Sequence, residues 1–317
     1  MTFVVFALST SPHGAYNGLR EVLSHHKKGG FSLPTFYNQA TLSYNNTVTG
    51  SNIVQGELVE AISAAKTAVV DSYTNGSTVT YIISIVNSGA APLTGLTLTD
   101  DLGAYAFGTD TLVPLTYVDT SVKYYADGVL QPSPAVTVTD GNLVISGINV
   151  PANGDTVVAY SVTANTFAPI EEAAQITNTV TISGDGLAQS VTADETISSS
   201  DEPILTISKA LSPTSVTENG QLTYTFTIYN SGSAPAIATD NVTVTDNFDP
   251  ILNPITVTYE GVTWTENVNY TYNPATGAFA TVPGQITVPA ATFTQDPETG
   301  AWSVAPGTVT LTVTGTV

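Results

Sequence analysis

The chain has 317 residues, of which 10% are charged and 42% apolar, with a formal net charge of −20 and only six Lys and Arg. So few cations can neither neutralise a phosphate backbone nor hold an anionic bilayer surface, which sets aside nucleic-acid and electrostatic membrane binding. With no Cys there are no disulfides or thiolate zinc sites, and no apolar run approaches the ~20 residues of a membrane span.

The length suits two domains of ordinary size. Thr, Val, Ser, Ala and Asn dominate, which is strand and turn composition. Residues 1–36 stand apart. They hold all three histidines (His13, His25, His26) and three of the six basic residues (Arg20, Lys27, Lys28). Leu19–Lys28 could form a short helix. The apolar stretch Phe3–Leu8 lacks a basic flank and is short for a secretory signal. The segment reads as a leader or flexible extension, with a basic functional element as the other reading. His25 and His26 are adjacent and share no helix face, so no metal site is assigned and no cofactor is expected.

Residues 37–60 read as a pair of strands, Tyr37–Leu58. A first domain, 61–199, follows. Ser77–Val86 alternates with Tyr81, Ile83 and Ile85 on one face, Asn87-Ser88-Gly89 turns, and Leu96–Thr99 runs into Asp100. Further strands fall near Thr116–Tyr125, Leu143–Ile148 and Asp155–Thr163, and the domain closes with Gln175–Ile182 and a hairpin at Gly184-Asp185-Gly186. Short alternating strands between turn signals predict a β-sandwich.

After a polar linker at Ser198–Glu202 the pattern restarts, giving a second domain at 200–317. Ile204–Lys209 matches Ala61–Lys66, Gln221–Tyr229 matches Thr78–Val86, and Asn230-Ser231-Gly232 matches Asn87-Ser88-Gly89. Asn241–Asp246 matches Gly95–Asp100, and Ala305–Val317 matches Pro151–Thr163. The repeat is out of phase with the chain ends. Tyr37–Leu58 resembles the closing segment Ile176–Thr196: Asn38 lies over Asn178, Ala40 over Val180 and Leu42 over Ile182. The second domain is expected to lack such a segment. The fold class expected is therefore all-β: two tandem Ig-like sandwiches preceded by a strand segment that completes the second domain of a neighbouring molecule.

The pattern of Lys, TVTYxIxxxNSGxAP, VTD and NTVTxSG resembles the conserved repeat domain of Gram-positive bacterial surface proteins, in two copies covering nearly everything from residue 37 on. Related sandwich domains in pilins and adhesins can carry a spontaneous Lys–Asn isopeptide bond promoted by a buried acid, and the resemblance implies the same here. After residue 36 the basic residues are Lys66, Lys123 and Lys209. Lys66 and Lys209 occupy equivalent places in the repeat, each among apolar neighbours. Asp100 and Asp246 end the equivalent TD strands. Asn178 lies on the first closing strand, and Asn38 aligns with it.

The chemistry needs these three types. A Lys amine attacks an amide carbon only when neutral, which burial favours. A carboxyl in the same apolar site stays protonated, polarises the Asn carbonyl and shuttles protons. The expected bonds are Lys66–Asn178 within the first domain, promoted by Asp100, and Lys209–Asn38 between subunits, promoted by Asp246. The other reading of each Lys is a buried ion pair or a side chain that reaches solvent. Lys123 reads as a solvated strand residue. Asp100-Asp101 and Asp246–Asp249 read as Asp-rich turns, with calcium ligation as the lesser reading, and no metal site is assigned to them. Trp264 and Trp302 read as core or as a sugar platform.

The expected function is a structural subunit of an extracellular filament on a cell or spore surface, a head-to-tail homopolymer whose host or surface ligand the sequence leaves open. The alternative is a monomeric adhesin or glycan-binding module. No catalytic triad, metal or phosphate motif points to an enzyme.

Overall fold

A computed structural model describes residues 35–57 and 62–317. The readings placed on residues 1–34, including the Leu19–Lys28 helix and the histidines, lie outside the described residues. The chain divides into two units, 1–60 and 61–317.

In the first unit, β1 (Thr35–Asn38) pairs with β4 (Val54–Glu57), and β2 (Thr41–Tyr44) with β3 (Thr47–Gly50). The four form one antiparallel hairpin, turned at Asn45-Asn46 with both residues at positive φ. Phe36, Asn38, Ala40 and Leu42 alternate onto one face. All four are exposed, Phe36 at 55% and Leu42 at 61%. The Phe36 ring lies over Gly56, where an added Cβ would come within 2.4 Å of it.

The second unit continues with β5 (Ile62–Ala68), β6 (Ser72–Tyr73), β7 (Thr78–Asn87), β8 (Leu93–Asp100), β9 (Tyr105–Phe107), β10 (Asp110–Leu112), β11 (Leu115–Tyr117), β12 (Lys123–Ala126), β13 (Val129–Leu130), β14 (Ala135–Thr139), β15 (Asn142–Val150), β16 (Gly154–Ala164), β17 (Gln175–Ser183) and β18 (Val191–Ser199). Then come β19 (Leu205–Ser212), β20 (Gln221–Asn230), β21 (Thr245–Asn247), β22 (Ile255–Tyr259), β23 (Val262–Thr263), β24 (Tyr270–Asn273), β25 (Ala278–Thr281), β26 (Thr292–Gln295), β27 (Trp302–Ala305) and β28 (Gly307–Thr316).

Two sheets, ordered β13-β12-β16-β7-β5 and β14-β15-β8-β17-β18-β6, enclose one apolar core. Tyr81, Ile83 and Ile85 of β7 point into it, fully buried, as the alternation predicts. A second core lies between β19-β20-β28-β22-β23 and β24-β25-β21. The first sheet of each pair has the same strand order and the same antiparallel partners. The second sheets differ. β8 pairs with β15 on one side and β17 on the other, whereas β21 pairs with β25 alone among the described strands.

Three sequence expectations change. The strand near Thr116–Tyr125 is two strands, β11 and β12, both paired with β16 and interrupted by Thr120 at positive φ. The strand Asn241–Asp246 shortens to Thr245–Asn247: Asn241 is left-handed at φ 53°, and Val244 N–H donates to the Thr281 side chain in place of a backbone carbonyl. The β26–β27 hairpin is an insertion without counterpart in the first repeat. It grips the first sandwich: Trp302 N–H donates to Thr166 O at 2.8 Å, and Gln295 Nε2 to Tyr105 Oη at 3.2 Å.

The two Asn-Ser-Gly turns are built alike. The buried Asn87 amide donates to Ala91 O and Pro151 O, and its carbonyl accepts from Gly89 N–H. Asn230 donates to Ala234 O and Pro289 O and accepts from Gly232 and Ile204 N–H. Among these bonds the Asn87 side chain ties two chain segments together and the Asn230 side chain three. Truncation strands several buried backbone groups at ~1–3 kcal/mol each. Asn230→Ala is expected to destabilise the chain by about 2–4 kcal/mol, read as a lower denaturation midpoint at unchanged slope.

Candidate functional site

The first sandwich carries a polar cluster inside its core. Alternation on β5 turns Ile62 and Lys66 inward, and Lys66 sits opposite Ile83 of β7. Asp100 ends β8 between Leu143 and Val180. Tyr160 comes from β16, opposite Tyr81, and Asn178 from β17. Lys66 and Tyr160 therefore belong to one sheet, and Asp100 and Asn178 to the other. All four are buried.

Lys66 Nζ donates to Asp100 Oδ2 at 2.6 Å. Tyr160 Oη donates to the same oxygen at 2.5 Å and accepts from Asn178 Nδ2 at 3.2 Å. Because the hydroxyl has a single proton and gives it to Asp100, its lone pair must face the Asn178 amino group. Asp100 Oδ1 accepts from Leu102 N–H at 3.1 Å. The rings of Tyr81 and Tyr160 stack with centroids 5.7 Å apart, and Lys66 Nζ stands 4.8 Å from the first and 5.9 Å from the second.

Burial dominates the electrostatics. It holds the Lys66 amine below its ordinary pKa despite the opposing pull of Asp100. It raises the Asp100 carboxyl despite Lys66. Both shifts favour a neutral amine beside a protonated acid. Burial, reinforced by Asp100, keeps the Tyr160 hydroxyl protonated.

The structure thus brings together Lys66, Asp100 and Asn178, the three residues that sequence reasoning selected for the first domain, and adds Tyr160. One detail differs from expectation. The carboxyl does not meet the Asn178 carbonyl. Asn178 Oδ1 has no hydrogen-bond partner among the described residues, and the acid reaches the amide through Tyr160. Asp101 pins the strand register: its Oδ1 accepts from Thr179 N–H and Gly103 N–H, both at 2.9 Å.

The second sandwich holds the same Lys and acid in a different state. Lys209 of β19 pairs with Asp246 of β21, under the rings of Tyr224, Phe226 and Phe248, with Nζ 4.4 Å from the Tyr224 centroid. Here the Lys side chain is 41% exposed, against 0% for Lys66. The pair lies in an open groove lined by Ile207, Lys209, Phe226, Val244 and Asp246. In the first sandwich β17 and β18 cover the equivalent place. The position of Tyr160 is taken by Val313: each sits opposite the equivalent Tyr, Tyr81 and Tyr224. Asn38 is described in its own unit, exposed on β1 opposite Val54. Lys123 is exposed on β12, and Trp264 packs against the second core beside Tyr259.

No protein-family model matches the chain, and no curated protein matches it. Among solved structures it is similar to the pilus backbone RrgB of Streptococcus pneumoniae, at 14% identity over 77% of this chain and 55% of that one, with a TM-score of 0.30. The collagen-binding subdomain ACE19 of the Enterococcus faecalis surface protein ACE matches at 12% identity over 43% of this chain and 94% of that one, TM-score 0.28. A family 123 glycoside hydrolase from Clostridium perfringens matches at 9% identity over 44% of this chain and 27% of that one, TM-score 0.28. Likenesses at this level decide neither ligand nor activity.

Proposed function

We propose that this chain is the structural subunit of an extracellular filament on a cell or spore surface. It polymerises head to tail by donating the 37–60 segment to the second sandwich of the next copy. The observation that carries this reading is the contrast between β8, paired on both edges, and β21, paired on one, with an exposed Lys–Asp pair in the groove beside it.

The occupant follows from the repeat. In the first sandwich Val180 sits opposite Asp100 and Ile182 opposite Leu98. The same register puts Ala40 opposite Asp246 and Leu42 opposite Val244. Phe36, Asn38, Ala40 and Leu42 then take the places of Ile176, Asn178, Val180 and Ile182, which are all buried. Burying Phe36 and Leu42 contributes roughly 2 kcal/mol each, beside the backbone ladder of an added strand. A contact between two different surfaces that does not close into a ring propagates into a fibre.

In the first sandwich, Lys66 Nζ attacks Asn178 Cγ, ammonia leaves and an amide bond remains. At the junction, the donated strand excludes water from Lys209 and Asp246 and presents Asn38 as the amide. Each reaction turns over once, so the chain is not an enzyme in the usual sense.

Intact mass checks the first bond: the purified chain is expected to be lighter by one ammonia, and Asn178→Ala to have its full calculated mass. The junction gives a second readout. Wild-type protein is expected to form unbranched filaments that run as a ladder after boiling in detergent. Lys209→Ala and Asn38→Ala are expected to collapse the ladder to monomer. Removal of residues 1–60 is expected to abolish filaments seen by electron microscopy; filaments that persist show that the donor lies elsewhere. In the unassembled protein a water-soluble amine-acylating reagent is expected to label Lys209 and spare Lys66.

A further inference from the structure

Tyr160 is the structural link between the acid and the amide. Asp100 has no hydrogen bond to Asn178, and the path between them runs from Asp100 Oδ2 to Tyr160 Oη at 2.5 Å and on to Asn178 Nδ2 at 3.2 Å. Nδ2 is the nitrogen that must leave. We infer that Tyr160 is a catalytic residue of the amide-forming reaction, carrying the proton from Asp100 to the departing ammonia. This rests on the Lys66–Asn178 amide proposed above.

An amide nitrogen is not basic, because its lone pair is delocalised into the carbonyl. Attack of neutral Lys66 Nζ on Asn178 Cγ makes that carbon tetrahedral and frees the lone pair of Nδ2, which rotation about the now single Cγ–Nδ2 bond turns to Tyr160 Oη, 3.2 Å away. With the acid protonated, Oδ2 donates to Oη and the bond between them is reversed; the hydroxyl then turns its own proton to Nδ2, gives it up and takes one from Asp100. The carboxylate so formed removes a proton from the attacking Nζ, 2.6 Å away. The Nζ–Cγ bond forms, the Cγ–Nδ2 bond breaks and ammonia departs. One proton has moved from the amine to the ammonia, and Asp100 and Tyr160 end as they began.

The site is organised for this transfer. Tyr160 is fully buried and its ring is fixed by stacking on Tyr81, so the hydroxyl cannot swing away. Burial keeps it protonated and ready to donate. Tyr81 Oη also faces Asn178 but makes no hydrogen bond in the described structure. The ionisable groups around the relay are Lys66 from β5, Asp100 and Asp101 from β8, Tyr81 from β7, and Asp194 and Glu195 from β18. In the second sandwich Val313 occupies the place of Tyr160, so this relay belongs to the reaction within the first sandwich.

The test uses the full chain taken from inclusion bodies directly into denaturant before it has folded, its full unreacted mass confirmed, and then refolded by dilution between pH 6 and pH 9. Folding is followed by near-ultraviolet circular dichroism, and the bond by intact mass of quenched samples. Tyr160→Phe keeps the ring and removes the hydroxyl. It is expected to refold like wild type but to lose ammonia at least about 10²-fold more slowly, the scale of one positioned proton donor. Its rate is expected to fall further as pH rises, because the leaving nitrogen then draws its proton from solvent, whereas the wild-type rate stays flat. A variant that reacts at the wild-type rate, or that is slowed equally at every pH, overturns the relay. Wild-type rates in H₂O and D₂O give a measurement that does not depend on the variant folding: slowing in D₂O is expected, and equal rates overturn the relay. A wild-type chain that folds and never loses ammonia overturns the amide itself.

Discussion

The buried pair of Lys66 and Asp100 is the constraint on which the rest of the structure depends. Removing an ammonium and a carboxylate from water costs several kcal/mol per ion, and their attraction in an apolar interior seldom does more than offset this. Well-packed apolar residues in the same space would often serve stability as well or better. The pair makes physical sense as a precursor. Burial pushes the amine down and the acid up in pKa, so the charges that are costly to bury are the ones the site suppresses. Conversion of Lys66 and Asn178 to an amide would remove the amine's charge permanently. The sandwich holds the partners in place: Lys66 on its first strand, Asn178 on one of its last, and Asp100 between them from the facing sheet.

The second sandwich shows the same residues where β21 has β25 as its one partner among the described strands. Lys209 and Asp246 still meet, but water reaches them. β21 is three residues long where β8 has eight, since a strand with one neighbour has half the ladder to hold it. An open edge beside an apolar groove normally invites unwanted pairing. Here a net charge of −20 keeps like molecules apart in the absence of a specific fit. In the proposed filament a hairpin with exposed Phe36 and Leu42 on the face that carries Asn38 would supply that fit.

Much of this was legible in the sequence, for a physical reason. Strand alternation fixes which residues point inward, so Tyr81, Ile83 and Ile85 were readable as core, and Lys66 stood out as a cation among apolar neighbours with an equivalent at Lys209. The repeat made the Lys209–Asp246 pair readable by equivalence with Lys66 and Asp100, and it aligned Asn38 with Asn178. Tyr160 was not, because a tyrosine at an inward position of an alternating strand looks like any other core aromatic. Only the pairing of β16 with β7 and the packing of the two sheets bring its hydroxyl between acid and amide. The β26–β27 hairpin was missed because it is an insertion with no counterpart in the first repeat to align it. The shortening of β21 was missed because strand length depends on neighbours, which local sequence does not encode.

The placement of the two amides in the proposed filament has a mechanical consequence. Tension would enter a subunit through Asn38, held by Lys209 of the copy that receives its donated segment, and pass along the chain to Lys66. There the Lys66–Asn178 bond would carry it directly across to β17, bypassing every strand from β6 to β16. From Asn178 the chain leads through the linker to Lys209 and the next junction. The residues between Lys66 and Asn178 would bear no load. Without the bond, unfolding the first sandwich would release each of them to extend by ~3.4 Å. The second sandwich beyond Lys209 would likewise hang outside the load path, positioning the junction without being pulled through it. Two cross-links at equivalent sites, one closed within a molecule and one between molecules, would make the covalent backbone continuous along the fibre and leave the hydrogen-bonded sheets to set only its geometry.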